Sequence, residues 1–273
     1  MKRLSLPDVT LCAVTSVALP ETIRALQRCL DQVDFGTALL LTDQAPPAGA
    51  PPDIAWRRIA PIKSREEYCE FILRSLVGYV DRPHVLVVQW DGFVIDASQW
   101  RSEFLQFDYI GAPWPQFDDG QTVGNGGFSL RSKRLLTLTS APEFRGRHPE
   151  DVAICRTHRR ELEQQAIRFA PQSIAEQFSF ERGPRTKSFG FHGLFNFPVA
   201  LSPGDLEATL DALDPALLGG RDGADLIVEL AQRGETRLAW RLARLRRPPD
   251  GVRFRMFGFW LRFGRALLRS VRR

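Results

Sequence analysis

Four short stretches of this chain carry groups that could take part in one reaction: Gln89–Gly92, Gly124–Gly127, Glu150–Asp151 and Phe191–Gly193. The first contains a carboxylate, Asp91, of the kind that holds Mg²⁺ or Mn²⁺ together with the phosphates of a substrate. The second is rich in glycine, and the absence of side chains lets a backbone approach a ligand closely. Together they indicate chemistry on a phosphate-bearing substrate.

The other two stretches offer a base and a further metal ligand. Glu150 and Asp151 follow Pro149 in what reads as the first turn of a helix, where a carboxylate is stabilised in its charged form and can accept a proton. His192 is a side chain that binds Mn²⁺ and similar ions. Each stretch also has a simpler interpretation: an Asp-Gly hairpin turn, a plain glycine turn, helix-end carboxylates and a packed core histidine.

The elements that must position these groups begin with the strand that precedes Asp91. Val85–Trp90 is almost entirely apolar, as in a central strand covered on both faces. In open α/β sheets, ligands bind at the carboxyl edge, where this strand ends. Val9–Val14 and Phe35–Leu41 are predicted as further strands, and Ile54–Ile59 as a short third one. The sequence thus predicts a site at one edge of a sheet.

Helical patterns separate these strands. Pro20–Leu30 has apolar residues at helical spacing, and Ser64 with Glu67 forms a capping box that opens a second helix. Short and longer helices are predicted from Ser132 and from His148 to about Arg168. This order predicts an α/β fold of Rossmann type, with a mostly parallel sheet and helices on both faces.

The C-terminal part of the chain differs in character. Residues 172–198 contain six phenylalanines among Gly, Ser and Asn, which predicts a strand-and-loop segment that packs onto the sheet and carries His192. Beyond Pro203 the leucines recur at helical spacing. We therefore expect two parts, a catalytic domain over 1–200 and a helical extension over 201–273.

Composition argues against a disordered protein, a zinc-finger protein and a protein that spans a membrane. Hydrophobic residues make up 44% of the 273 residues, which indicates a folded globular protein. The four cysteines show no metal-finger spacing and lie in apolar segments, as expected of buried thiols in a reducing compartment. No stretch is long and apolar enough to predict a transmembrane helix.

The order of the four stretches resembles the nucleotide-sugar-dependent glycosyltransferases of the GT-A fold. That group has an Asp-x-Asp metal motif after a central strand, then a glycine-rich loop, an acidic motif at a helix start and a later histidine. Three phrases are similar to a bacterial family described mainly as a domain of unknown function near these transferases: Tyr109–Trp114, Val123–Arg131 and Phe189–Gly193. The resemblance covers roughly residues 8 to 198.

The resemblance implies a role for each residue. Asp91 and His192 would bind a divalent cation, Mn²⁺ or Mg²⁺, that bridges the diphosphate of the donor. Asp151 would be the general base for an inverting transfer, with Glu150 as the second candidate. The remaining implied contacts are Gly126 and Gly127 against the donor sugar or acceptor, and Thr15, Ser16 and Asp43 lining the nucleotide pocket.

One residue departs from the family pattern. Gln89 stands where the family has an aspartate, so the motif contributes a single carboxylate to a metal site. Two other functions therefore stay open: a nucleotidyl or phosphoryl transferase that uses the same Asp91, and a membrane-associated binding protein that has lost catalysis.

The C-terminal tail is strongly basic. Residues 236–273 hold twelve Arg and one Asp, a net charge of +11, which leaves 5 − 11 = −6 for residues 1–235. Residues 253–273 interleave arginines with large apolar residues, which predicts an interfacial helix on an anionic membrane, with Phe257, Trp260, Phe263 and Leu267 in the acyl boundary. The alternatives are a helix that packs on the domain, and nucleic-acid binding, which we reject because the rest of the chain is acidic and shows no recognition module.

The sequence therefore predicts a glycosyltransferase at the cytoplasmic face of the cell membrane. It would move a sugar from a nucleotide-sugar donor to a glycan or lipid-linked acceptor, in the synthesis of bacterial surface polysaccharide.

Overall fold

The computed structural model of the chain describes residues 3–247 and 253–270. A six-stranded sheet has the spatial order β3-β2-β1-β4-β6-β5, and two further strands form the small sheet β7-β8. The strands are β1 (Leu4–Val14), β2 (Val33–Thr42), β3 (Ala55–Arg58), β4 (His84–Val88), β5 (Tyr109–Ile110), β6 (Phe128–Ser132), β7 (Ser179–Phe180) and β8 (Gly190–Phe191).

Helices surround the larger sheet and make up most of the C-terminal part. They are α1 (Leu19–Leu30), α2 (Arg65–Glu70), α3 (Lys133–Ser140), α4 (Glu150–Val152), α5 (Arg159–Gln164), α6 (Gln172–Phe178), α7 (Phe197–Ala200), α8 (Pro203–Asp211), α9 (Arg221–Gln232), α10 (Thr236–Leu245) and α11 (Arg253–Ser270). Helix α2 continues through a π-helical and a 3₁₀ segment to Tyr79.

The predicted fold class is confirmed, a mixed α/β fold whose main sheet is mostly parallel, with a helical C-terminal extension. Strands β1 to β4 run parallel to one another, whereas β6 runs antiparallel to β4 and to β5. The strand that ends near Asp91, β4, lies between β1 and β6 and is fully buried over Val85–Val88. A central position for this strand was expected, because its apolar residues face both sides of the sheet.

The core explains how the helices hold the sheet. On one face, alternate strand residues such as Cys12 and Val87 pack against Ile72 and Leu76 from the segment that follows α2. Helix α1 contacts β1 and β2 without joining that cluster, so it lies on the other face. Side chains alternate across a strand, and two covered faces therefore require the apolar runs that the sequence shows.

Two helix starts were predicted correctly, and one helix differs from its prediction. Ser64 and Ser132 accept backbone hydrogen bonds from Glu67 and Leu135, as N-cap serines do. The helix predicted from His148 to about Arg168 is instead broken into α4, a π-helical turn over Ala153–Thr157, and α5, which ends at Gln164. The spacing of apolar residues that predicts a long helix does not reveal such irregular turns.

The aromatic segment packs as predicted. Phe178 and Phe189 lie with their ring centroids 5.3 and 6.1 Å from that of Phe128 on β6. Burial of these rings fixes β8, and β8 leads directly to His192. All four cysteines are free and buried, as expected of structural thiols.

The chain divides into two compact units, Met1–His192 and Gly193–Arg273. The division at 200/201 that the sequence suggested stays a prediction. In the C-terminal unit, the helical pattern predicted beyond Pro203 is interrupted between α9 and α10, where Gly234 has a φ of 86°. Residues 271–273 of the predicted tail helix lie outside the described residues. None of the helices described over 3–247 and 253–270 has the length and apolar character needed to cross a membrane.

Candidate active site

The sheet brings the ends of two parallel strands to one edge. Ala13 of β1 is in register with Val88 of β4, and both strands run in the same direction. The residues that follow them, Thr15 after β1 and Gln89 after β4, therefore lie at the same carboxyl edge. Gln89 and Gly92 close a turn through a 3.1 Å hydrogen bond, but the next strand along the chain, β5, pairs with β6 and not with β4, so the turn does not form a hairpin.

His192 lies at the centre of the polar groups at this edge. Its Nε2 atom is 3.4 Å from Oδ1 of Asp91 and 3.2 Å from Oε1 of Gln89. The amide nitrogen of Gln89 donates to the hydroxyl of Tyr68 at 3.1 Å, and this bond points the amide oxygen towards the imidazole. Gln89 thus contributes an oriented amide oxygen at the position where the glycosyltransferases that the sequence resembles have a second carboxylate.

The other ring nitrogen of His192 is held as well. Its Nδ1 atom lies 3.3 Å from Oε1 of Glu181 and 3.1 Å from the amide nitrogen of Asn125. Burial favours the neutral imidazole, but the charge of Asp91 and the hydrogen bonds to Asp91 and Glu181 outweigh it, so the pKa of His192 is raised well above its ordinary value. The ring thus lies between two carboxylates, Asp91 and Glu181, which both favour its protonated form.

The glycine loop fits against both His192 and the acidic helix start. A Cβ on Gly127 would overlap the His192 ring, and a Cβ on Gly126 would overlap the carboxylate of Glu150. The backbone N–H of Gly126 donates to Oδ2 of Asp151 at 3.1 Å. These two positions therefore require glycine because of close approach, which a plain turn would not demand.

A methyl group at Gly127 tests this packing. Gly127→Ala is expected to lower the free energy of unfolding by about 1–3 kcal/mol, the usual cost of overpacking a buried position. The His192 ring would also have to leave its contacts with Gln89 and Asp91. Urea denaturation would measure the loss of stability. Gly78→Ala is the matched control, because a Cβ there meets nothing within 4 Å. Equal behaviour of the two variants would contradict the close approach.

Asp151 is a partly exposed carboxylate with a raised pKa. Burial, and then the charge of Glu150, raise the pKa of Asp151 to about 6. Its two oxygens accept hydrogen bonds from the N–H groups of Gly126 and Val152, at 3.1 and 2.8 Å. The side chain keeps partial exposure, so a bound hydroxyl could reach it.

Glu150, the second candidate for the base, has a different environment. Its Oε1 atom pairs with the guanidinium of Arg131 at 3.0 Å, and its Oε2 atom accepts from the thiol of Cys69 at 3.2 Å. Arg131 is fully buried and lies with its guanidinium 5.2 Å from the centre of the Tyr109 ring. Glu150 is therefore buried and paired with a cation, whereas Asp151 is partly exposed and bonded to backbone N–H groups, and this difference favours an anchoring role for Glu150 over proton transfer.

The residues predicted to line a nucleotide pocket lie at the carboxyl ends of β1 and β2. The hydroxyl of Thr15 accepts from the N–H of Ala18 at the start of α1, and that of Ser16 accepts from the N–H of Ile62. Oδ1 of Asp43 has no hydrogen-bond partner among the residues described in 3–247 and 253–270. These groups share an edge with Gln89, and their contact with a nucleotide stays a prediction.

The distances between the potential ligand atoms fit a divalent cation. Ligands about 2.1 Å from an octahedral ion lie roughly 3 Å apart, close to the spacing of Oδ1 of Asp91 and Oε1 of Gln89 from Nε2 of His192. In the described parts of the chain, however, no group of three or more His, Cys, Asp or Glu side chains is arranged to hold a metal ion. Asp91, His192 and the amide oxygen of Gln89 are the available set.

Four residues of this network were not singled out from the sequence: Tyr68, Asn125, Arg131 and Glu181. Asn125 carried the clearest signal, because asparagine tolerates the left-handed backbone that it adopts here, with a φ of 48°. Arg131 carried no signal of a role in the site, since an arginine on a strand normally indicates exposure. Glu181 reaches His192 only through the pairing of β7 with β8.

A sequence family and a solved structure are similar to this chain. The profile of a family described as "Protein of unknown function (DUF5672)" matches residues 57–192, just under half of the chain and including Gln89 through His192. No curated protein matches the chain. Among solved structures, the chain is similar to the mannosyltransferase PcManGT from Pyrobaculum calidifontis in complex with GDP-Man and Mn²⁺, with a TM-score of 0.44 and 10% identity over 99% of this chain and 76% of that one. Over residues 57–192, the chain is thus similar to a family that is defined by sequence and not by activity.

Proposed function

We propose that this protein is a glycosyltransferase that moves a sugar from a nucleotide-sugar donor to a hydroxyl of a glycan or lipid-linked acceptor, with inversion at the anomeric carbon. One observation carries the proposal. Asp151, a carboxylate with a pKa of about 6, accepts a hydrogen bond from the N–H of Gly126. The next residue, Gly127, packs against the ring of His192, which lies beside Asp91. A base and a diphosphate-binding centre are thereby joined through two glycines.

Each group has a step in the reaction. The acceptor oxygen bonds to the anomeric carbon, and the bond from that carbon to the diphosphate oxygen breaks. The electron pair leaves with the nucleoside diphosphate, while Asp151 takes the proton of the acceptor hydroxyl. The N–H groups of Gly126 and Val152 each hold one oxygen of Asp151, so the carboxylate is oriented before the substrate arrives.

A divalent cation, Mn²⁺ or Mg²⁺, would be held by Asp91, His192 and the oxygen of Gln89, and would supply positive charge to the diphosphate. Tyr68 orients Gln89 for that role through its hydroxyl. Thr15, Ser16 and Asp43 are proposed to contact the nucleotide from the same edge of the sheet.

The acceptor and the location are proposed from the basic tail. A chain that combines an acidic catalytic part with a tail of +11 suits the inner face of an anionic membrane, where lipid-linked glycans are assembled. The proposed role is a step in the synthesis of a bacterial surface polysaccharide.

The test is donor turnover by the full chain. Purified protein would be incubated with a panel of nucleotide sugars, with and without Mn²⁺, and release of nucleoside diphosphate measured. At least one donor should be hydrolysed, and Asp91→Asn should bind it at least about tenfold more weakly, since the variant loses the carboxylate proposed to hold the divalent cation on the diphosphate, and even changes outside the ligand shell of a metal site cost about 10- to 100-fold.

Two outcomes would overturn the proposal. Binding of a donor without any turnover, even with glycan acceptors added, would indicate a binding protein that has lost catalysis. Release of nucleoside monophosphate and sugar 1-phosphate in place of nucleoside diphosphate would indicate cleavage of the diphosphate, as by a nucleotidyl or phosphoryl transferase at the same Asp91.

A further inference from the structure

Helix α11 has three faces, each defined by residues spaced three and four apart. One row, Phe259, Phe263 and Ala266, is at most 4% exposed and packs within the C-terminal unit, where α11 contacts α9. Phe263 was predicted to enter a membrane, and its burial shows that this part of the prediction was wrong. The packing interpretation of the helix is correct for this face alone.

The second row is apolar and exposed. Phe257, Leu261 and Leu268 follow at spacings of four and seven, with exposed fractions of 72%, 45% and 67%. Side chains at this spacing project from one face of a helix. Trp260, which is 40% exposed, lies beside this row. Such a continuous stripe differs from the scattered apolar residues of an ordinary protein surface.

A second helix extends the stripe. Trp240 of α10 is 42% exposed, and its ring centroid lies 6.3 Å from that of Trp260 and 4.9 Å from that of the buried Phe263. The sequence did not predict this contribution, because Trp240 is twenty residues from Trp260 in the chain. Paired, half-exposed tryptophans suit the boundary between water and acyl chains, where one edge of the ring is wet and the rest is apolar.

The third row of α11 is cationic. Arg262, Arg265 and Arg269 are exposed and again follow a spacing of three and four. Arg262 pairs with Asp225 of α9, so this row is anchored at one point. An apolar stripe with arginines along its side is the arrangement by which a helix lies in a membrane interface, the charges reaching for headgroups while the apolar side chains enter the acyl boundary.

We propose that Trp240, Phe257, Trp260, Leu261 and Leu268 form a docking face that inserts into the interface of an anionic lipid bilayer, with the arginine row of α11 on the headgroups. Charge decides between this occupant and a second copy of the chain. Residues 236–273 carry +11, so two such surfaces repel each other, whereas an anionic bilayer attracts each of them. The proposal does not depend on the transferase activity.

Vesicle sedimentation of the full chain tests the docking face. The protein should sediment with vesicles of equal parts phosphatidylglycerol and phosphatidylcholine, and binding should fall as salt is raised. Leu261→Ser with Leu268→Ser should weaken binding by about tenfold or more, since each leucine loses its apolar contact with the acyl boundary. Both side chains are exposed, so the fold should tolerate the change, and circular dichroism would confirm it.

Leu245→Ser is the matched control. Leu245 of α10 is 44% exposed, close to the 45% of Leu261, but it lies roughly 140° around its helix from Trp240. It should leave vesicle binding unchanged. The proposal is overturned if the unmodified chain does not sediment with the anionic vesicles, or if the double variant binds as well as the control. A dimer in light scattering that the double variant dissociates, without vesicle binding, would assign the face to a second copy.

Discussion

Asp151→Asn is expected to lower the rate of sugar transfer by about 10²- to 10⁴-fold, the usual contribution of a positioned general base. Asparagine keeps the size of the side chain and can still accept the hydrogen bond from the N–H of Gly126. It cannot accept the proton of the acceptor hydroxyl. Donor affinity, measured by calorimetric titration, should therefore stay close to that of the unmodified protein while turnover is lost.

The pH dependence of the rate provides an independent test of the same assignment. Burial and the neighbouring Glu150 raise the pKa of Asp151 to about 6, so the base is protonated and inactive below that pH. The rate should rise as pH increases through about 6 and become constant above it. Asp151→Asn should remove this rise, because no group of that pKa remains at position 151.

The control for this variant is Asp81→Asn. Asp81 is exposed and precedes β4, at the end of the strand opposite to Asp91. Its replacement should change neither the rate nor the pH profile. Transfer by Asp151→Asn at a rate similar to that of this control would exclude Asp151 as the base and leave Glu150 to be tested.

The edge of the sheet could be predicted because its signals are local. An apolar run followed by Asp91 and Gly92 marks the end of a central strand, and a proline followed by two carboxylates marks a helix start. The sequence also suggested that Gly126 and Gly127 share a site with Asp151. The hydrogen bond from Gly126 to Asp151 is a contact between those two predicted stretches.

The contacts that hold Gln89 in the site could not be predicted, since they join segments that are distant in the sequence. Tyr68 and Gln89 come from different elements, and only the packing of the segment after α2 against the sheet brings them together. The prediction for the C-terminal tail was limited in the same way. Its apolar residues occur around most of the helix, and the sequence does not specify that Phe263 faces inwards while Leu268 faces outwards.

Arg131→Met should produce the largest loss of stability, about 3–5 kcal/mol in the free energy of unfolding. Arg131 is fully buried, and it pairs at 3.0 Å with Glu150, which is also buried. Methionine matches the length of the arginine stem but leaves the carboxylate without its cation in an environment of low polarity. Because Glu150 begins the helix that carries Asp151, the base should also lose its position.

Urea denaturation would measure this loss, with Arg3→Met as the matched control. Arg3 pairs with Asp34 at 2.9 Å, nearly the same distance, but both side chains are about half exposed, so the control should lose less than about 1 kcal/mol. Adding Glu150→Gln to Arg131→Met should recover part of the stability, since it removes the uncompensated charge. A single variant as stable as the Arg3 control would mean that the buried pair contributes little, and Asp151 would then be positioned by the glycine loop and its own helix alone.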